Sequence, residues 1–397
     1  MSGDRETVLL FGGTGYIGTL IAASLLARTH ATVTAPIRAH REPQAARECI
    51  AEEARAIAPV PDEDIESRLH MVAYDDVAEL KLRLSRPDTV INAAGSVDYF
   101  DAEELQDANI RLTEDILDVA RALRTDRFVF ISTAFSCGYS DGVATETLHD
   151  EPEADPTVYT RSKRHAEHLV ANSGIPYLVL RPSVVIGDSQ SGRYTGRRYG
   201  LYQFLSGTER LLCRDYHREL HLVAPDKPVH FLHQDAFQAA FLAALRHVHD
   251  DAFVNVVAPE QESPTLRELW QDWMSLCSMP ERVVYYDRLA DVPLQEIDPR
   301  QRAFLSFASV NTDIAAHTWR FARTTLDTLA TEQGLQPPST TLHSVRRCQE
   351  AFIGASEKCA RFRARFAEQM PDTPREVVEV PAGGGMGGSD ARPATLD

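Results

Sequence analysis

The sequence predicts an α/β fold, a doubly wound parallel sheet followed by a smaller, mostly helical C-terminal region. Three observations carry this. Short apolar runs alternate with helical patterns through the first 260 residues. A glycine-rich turn, FGGTGYIG, lies between the first run and the first helix. Beyond about residue 264 the pattern is mainly helical. Strands that alternate with helices at this spacing pair in parallel, because each parallel crossover needs an element to carry the chain back.

The elements follow in order. TVLLF (7–11) is a first strand and 16–29 a first helix; ATVTAPI (31–37) is a second strand, and a charged helix spans about 42–57. LHMVAY (69–74) and DTVINAA (88–94) are the third and fourth strands, and 102–122 is an amphipathic helix. DRFVFIST (126–133) is a fifth strand, 157–173 a helix, YLVLRPSVVIG (177–187) a sixth strand and FVNVVA (253–258) a late one. Residues 188–230 hold glycines, aromatics and arginines without a clean period, and read as a substrate loop inserted in a domain of 1–260. Residues 261–370 read as a mostly helical cap, and 371–397 as a disordered Gly-rich tail.

Composition narrows the function. At about 150 residues per domain, 397 residues make one large or two moderate domains. A net charge of −17 sets the surface as a whole against nucleic acid and anionic lipid. No apolar run is long enough for a membrane span, and the polar start, Met1 to Thr7, lacks a secretory pattern. Cys49, Cys137, Cys213, Cys277, Cys348 and Cys359 are scattered without metal-type spacing, so the expectation is reduced thiols in a cytoplasmic protein and no metal.

Gly12, Gly15 and Gly18, with Thr14, Tyr16 and Ile17 between them, form a GxxGxxG turn after a strand and before a helix. The glycines let the backbone approach a pyrophosphate, and the helix start supplies free N–H groups and a positive dipole end. This is the dinucleotide-binding turn of a Rossmann fold. An NAD-selective site carries an acidic residue after the second strand. Here IRAHR offers Arg38 and Arg41, which can pair with a 2′-phosphate, so NADP(H) is the expected cofactor. Asp75, past the third strand, is placed to accept from the adenine amino group or to cap a helix. Ala93 and Ala94 are small where the fourth strand should pass beneath the cofactor, and Pro182, Ser183 and Val184, within the sixth strand, are further expected cofactor contacts.

Tyr159 and Lys163 stand four apart in VYTRSKRHAEHLV and share one helix face. A phenol with an ordinary pKa near 10 needs a cationic neighbour to exchange protons near neutrality. FISTAFSCG offers hydroxyls at Ser132, Thr133 and Ser136; spacing to Gly138 favours Thr133 as the donor to a substrate carbonyl, with Ser132 the close alternative.

GGTGYIG, IRAHREPQAARECI, INAAGSVDYF, FVFISTAFS, VYTRSK and LVLRPSVVIG, in this order, resemble the extended short-chain dehydrogenase/reductase superfamily. Within it they most resemble the male-sterility branch, which includes fatty acyl-CoA reductases and thioester-reductase domains. The resemblance covers roughly residues 7–260. It implies a Rossmann fold, NADPH, and Thr133, Tyr159 and Lys163 as catalytic residues. Where the branch has Gly-Asp after the third strand, this chain has Tyr74–Asp75. No carrier or adenylation domain is attached, so the expected substrate is a free acyl-CoA or an acyl group on a carrier protein in trans.

The leading expectation is therefore reduction of an acyl thioester to aldehyde or alcohol. The alternatives are a dehydrogenase of a ketone, sterol-type or nucleotide-sugar substrate, and a non-catalytic NADP-binding regulator. Arg193, Arg197, Arg198, Arg210, Arg214 and Arg218, against Glu209 and Asp215, form a basic stretch suited to coenzyme A phosphates or an acidic carrier. Leu201, Tyr202, Phe204 and Leu205 are candidates for an acyl pocket, and Trp270, Trp273 and Trp319 for packing anchors. His230 and His233, near Asp235, lack a third metal ligand and read as structural. The C-terminal helices are expected to cap the cleft or to form a homodimer.

Overall fold

The computed structural model describes residues 6–97 and 101–382. Its strands are β1 (Thr7–Phe11), β2 (Thr32–Arg38), β3 (Leu69–Tyr74), β4 (Thr89–Asn92), β5 (Arg127–Ile131), β6 (Tyr177–Pro182), β7 (Val184–Ile186), β8 (Glu219–Val223), β9 (Phe231–His233), β10 (Ala252–Val256), β11 (Arg282–Tyr286) and β12 (Glu376–Val380). Seven form one parallel sheet in the order β10-β6-β5-β4-β1-β2-β3. The strands are apolar on both faces because helices cover both. Leu20, Ile21, Leu25, Phe237 and Phe241 pack on one side. Ile116, Leu117, Ala120, Ala166 and Val170 pack on the other.

The strand order reverses beside β1, which pairs with β2 on one side and β4 on the other. Ligands of open α/β sheets bind at such a switch point, outside the carboxyl ends of the strands. Register puts Phe11 opposite Asn92, so the Gly12 turn and Ala93 leave the sheet side by side.

The sixth expected strand is divided. Its first part stays in the large sheet as β6, and Ser183 N still donates to Val256 O (3.2 Å). Val184 N then donates to His230 O (3.2 Å), and β7 pairs with β9 in a separate two-stranded sheet. Pro182 has no N–H to extend the ladder, so the change of partner falls there. The helix expected over 102–122 is also interrupted: a wide turn spans Gln106–Arg111 between Ala102–Leu105 and the regular helix Leu112–Leu123.

The inserted segment and the C-terminal part share a second sheet, β12-β11-β8, in which all strands are parallel. They also share a core, in which Leu220 and Leu222 meet Trp270, Trp273, Val283 and Phe304. Two expectations change here. The largely helical C-terminal region contributes a central strand, β11, with Val283 to Tyr286 buried. Residues 376–380, expected within a disordered tail, form an edge strand, because three β-branched valines favour an extended backbone and β11 offers the open edge. The glycine-rich end beyond residue 382, and Asp98, Tyr99 and Phe100 of the NAAGSVDYF motif, lie outside the described residues.

Candidate active site

The first turn is built by close approach. Gly12 has φ +82°, and a Cβ there would lie 2.5 Å from the Ala93 carbonyl carbon and the Ala94 nitrogen, so only glycine is accommodated. A Cβ on Gly18 would collide with the Gly12 carbonyl oxygen. Gly15 N donates to Gly12 O (2.9 Å) and caps the helix Tyr16–Arg28 without a side-chain hydrogen bond. The first-turn N–H groups of that helix, Tyr16 and Ile17 among them, therefore keep their donor capacity for an anion. Thr14 and Gly15 are exposed. This turn fits a pyrophosphate.

Tyr16 looks elsewhere. Its hydroxyl lies 3.2 Å from Ile186 O and 3.0 Å from Gln234 Oε1, and its ring meets Tyr194 edge-on at 4.7 Å. Burial, then Tyr194, pushes its pKa well above the ordinary value, so it remains a donor that ties the first helix to the inserted segment. Arg38 closes β2, and Arg38 and Arg41 are exposed on one turn, with Arg41 N donating to Arg38 O (2.8 Å). Asp75 is exposed past β3; the helix-capping role falls to Asp76, which accepts from Ala78 N (2.9 Å). Ala93, Ala94, Pro182, Ser183 and Val184 line one cavity. The Ser183 hydroxyl is buried with no hydrogen-bond partner among the described residues, which leaves it for a bound group.

A reciprocal capping box between Thr157 and Thr160 starts the helix Val158–Ala171. Tyr159 and Lys163, one turn apart on it, reach the same cavity. Lys163 is buried with Nζ 4.2 Å from the Phe130 ring centroid, and desolvation pushes its pKa down to about 7 while Glu167 pulls it up.

The two hydroxyls at the end of β5 part company. Ser132 donates to the Glu167 carboxylate, which also receives Arg181 Nε (3.0 Å) and Nη2 (2.6 Å). Thr133 opens the turn Ala134–Cys137, its Oγ1 accepting weakly from Phe135 N at 3.4 Å, and lines the cavity with Tyr159. Ser136 is fully buried.

Asn109 was not anticipated. It sits on the wide turn, its Oδ1 accepting from Ser96 N (2.9 Å) and its Nδ2 donating to Ser96 O (3.0 Å) and Ser162 Oγ (2.9 Å). Ser162 in turn donates to Tyr159 O (2.8 Å), so Asn109 links the loop after β4 to the tyrosine's own turn. Wide turns inside helices mark functional positions, but asparagine inside an amphipathic pattern carries no sequence signal of it.

The cavity measures about 280 Å³. Its polar end holds Thr133, Tyr159, Lys163 and Ser183; its other end is walled by Leu201, Phe204, Leu205, Leu266, Leu269, Trp270, Trp273 and Ile314. Tyr202, grouped with these by sequence, instead accepts from Gly187 N (2.9 Å) and stacks on Tyr194. Trp319 packs against Phe135 and Phe321. His230 lines the cavity as a neutral ring, its pKa pushed by burial down to about 4. His233 is held between Gly187 O (2.7 Å) and Ser344 Oγ (2.8 Å).

The arginine stretch does not converge. Arg193 pairs with Glu53 (2.8 Å), Arg198 with Glu209 (3.1 Å) and Arg218 with Glu281 (3.9 Å). The partners of Arg193 and Arg218 come from elsewhere in the chain, and that of Arg198 from the stretch itself. Arg214 joins Lys358, Arg361 and Arg365 around a separate surface pocket. No helix among the described residues is long and apolar enough to cross a membrane.

Comparison with known proteins agrees with this fold. The family model described as male sterility protein matches residues 10–236. A dTDP-6-deoxy-L-talose 4-dehydrogenase (NAD(P)(+)) from Kitasatospora kifunensis is 30% identical over 196 residues, 47% of this chain and 54% of that protein. A linear gramicidin synthase chain from Brevibacillus parabrevis is 28% identical over 208 residues, 47% of this chain and 4% of that protein. The chain thus spans about half the length of the first relative and a small fraction of the second. Among solved structures, the terminal R domain from the myxalamid PKS-NRPS pathway matches with TM-score 0.67 and 21% identity, over 89% of this chain and 92% of that one. The aureusimine cluster reductase domain matches with TM-score 0.62 and 18% identity, over 87% and 90%. At these identities the likeness is one of fold.

Proposed function

The chain belongs to the male sterility family of extended short-chain dehydrogenases/reductases, and from that premise we propose that it reduces an acyl thioester with NADPH. One observation carries the reading: a single cavity joins Thr133, Tyr159 and Lys163 to a chamber walled by Phe204, Leu269, Trp270 and Trp273. A polar reacting end continuous with an apolar chamber suits a carbonyl at the head of an acyl chain. Reductase domains of peptide and polyketide assembly lines share the fold, which agrees with a carrier-bound or coenzyme A-bound acyl group as substrate.

The cofactor, when bound, supplies the hydride. The helix that follows Gly15 would hold the pyrophosphate, Ser183 would offer its hydroxyl to the nicotinamide end, and Arg38 and Arg41 would pair with a 2′-phosphate. Thr133 and Tyr159 donate hydrogen bonds to the carbonyl oxygen as charge develops on it. Tyr159 gives up its phenolic proton, and the Lys163 ammonium beneath it stabilises the phenolate that remains. The C–S bond of the resulting hemithioacetal then breaks as its hydroxyl proton passes to the departing sulfur, giving aldehyde and thiol. The first hydride and proton therefore release one thiol, and a second pair, taken up by the aldehyde, gives the alcohol and releases none. Ser132, committed to Glu167, supports the wall behind the site.

NADPH consumption with a panel of acyl-CoAs and the matching aldehydes tests this. Oxidation with acyl-CoA that is lost in Tyr159→Phe supports the reading. Turnover of ketones or nucleotide sugars alone overturns it in favour of a plain dehydrogenase, the activity named for the Kitasatospora relative.

A further inference from the structure

Three cysteines that look unrelated in sequence meet in the second core. Cys213 follows the wide turn Thr208–Leu212, Cys277 ends the helix Leu266–Leu276, and Cys359 lies in the first turn of the helix Glu357–Phe366. All three are buried, and their sulfurs lie within 4.8 Å of one another, with Cys213 and Cys277 Sγ 3.6 Å apart. We propose that these three thiolates hold one soft d10 cation, Zn2+ or Cu+.

The geometry fits without rebuilding the chain. A metal–thiolate distance of about 2.3 Å places sulfurs roughly 3.8–4.0 Å apart in tetrahedral or trigonal sites, inside the observed spread. Soft thiolates select such cations over hard ones. Ser356 caps the helix and accepts from Cys359 N (3.2 Å), so Cys359 sits at the helix's positive end. Cys213 also borders the surface pocket of Arg214, Lys358, Arg361 and Arg365, which with Glu209 on the same pocket leaves a net positive border beside the cluster. Cys348 is equally buried but outside the cluster, and serves as an internal control.

Such a site would fasten the inserted segment and the Glu357–Phe366 helix to the helix that bears Trp270 and Trp273, fixing one wall of the apolar chamber. The inference does not depend on the substrate proposed above.

Reduced, chelator-treated protein is titrated with Co2+, as a spectroscopic stand-in for Zn2+, and separately with Cu+. The expected result is one equivalent bound with thiolate-to-metal charge-transfer absorption, lost in Cys213→Ser, Cys277→Ser and Cys359→Ser and kept in Cys348→Ser. Stoichiometric binding in one arm identifies the cation. Should the serine variants fail to fold, the wild-type spectrum and metal protection of these three thiols from alkylation in mild denaturant carry the test. Absence of thiolate charge transfer with both metals, or protection of other cysteines instead, overturns the proposal.

Discussion

Arg181 and Glu167 are joined by two hydrogen bonds, of 2.6 and 3.0 Å, at a point where neither side chain meets solvent. The pair locks β6 to the helix that carries Tyr159 and Lys163, directly behind the reacting end of the cavity. Removing one partner strands a buried charge, which costs about 3–5 kcal/mol, whereas replacing both with apolar groups of similar volume is far milder. Denaturant unfolding of Glu167→Leu should show a loss of that order, and the double variant with Arg181→Met should recover most of it. A loss in the double variant equal to the sum of the two single-variant losses would mean that the charges are not coupled.

Ser132 and Thr133 are neighbours with separate duties. Thr133→Val should lower kcat roughly 100-fold, the scale of one lost oxyanion donor. Ser132→Ala should instead lower stability by about 1 kcal/mol, with kcat within a few-fold of wild type. Steady-state kinetics and thermal unfolding on both variants separate the roles; the reverse pattern would exchange them.

Lys163 has a pKa of about 7 in the folded chain against an ordinary 10.5. Between these values the unfolded chain binds more protons, so this group makes stability rise with pH across that window and contributes no pH dependence below it. Lys163→Met should remove this rise. Urea midpoints of the cofactor-free protein from pH 6 to 10 measure it, and parallel curves for wild type and variant would contradict the burial argument.

Arg38 and Arg41 stand exposed on one turn at the end of β2. If they pair with a 2′-phosphate, Arg38→Ala and Arg41→Ala should each raise KM for NADPH about tenfold, the weight of one charge-assisted hydrogen bond. KM for NADH should barely move. Equal effects on both cofactors would remove the basis for NADPH selectivity.

The apolar chamber sets a chain-length rule. Burying one methylene is worth about 0.8 kcal/mol, so kcat/KM along a saturated acyl-CoA series should rise roughly fourfold per CH2 until the chamber is full. Trp270→Ala should shift the turning point to longer chains. A flat profile would show that the acyl chain does not enter.

The large sheet was legible because its strands are buried on both faces and read as apolar runs between helices. Periodicity also brought Tyr159 and Lys163 to one face, and the glycine spacing marked the turn at Gly12. What stayed hidden depended on distant partners. β12 is a strand because β11 offers it an edge, and its glycine-rich neighbours concealed it. Asn109 matters through Ser96 and Ser162, 13 and 53 residues away. Cys213 and Cys277 are 64 residues apart in the chain and meet only in the folded core. The arginines from residue 193 on formed a cluster in sequence, but Glu53 and Glu281 from distant elements, and Glu209 from the stretch itself, divide them.

The most direct test of the central claim is a product balance. The protein is incubated with NADPH and a long-chain acyl-CoA, and free coenzyme A thiol, aldehyde, alcohol and oxidised cofactor are quantified together. Thioester reduction at Tyr159 predicts one thiol released for the first hydride consumed, with aldehyde or its alcohol accounting for the acyl group, and none of it in Tyr159→Phe. Cofactor oxidation without thiol release, or thiol release without cofactor oxidation, would contradict it.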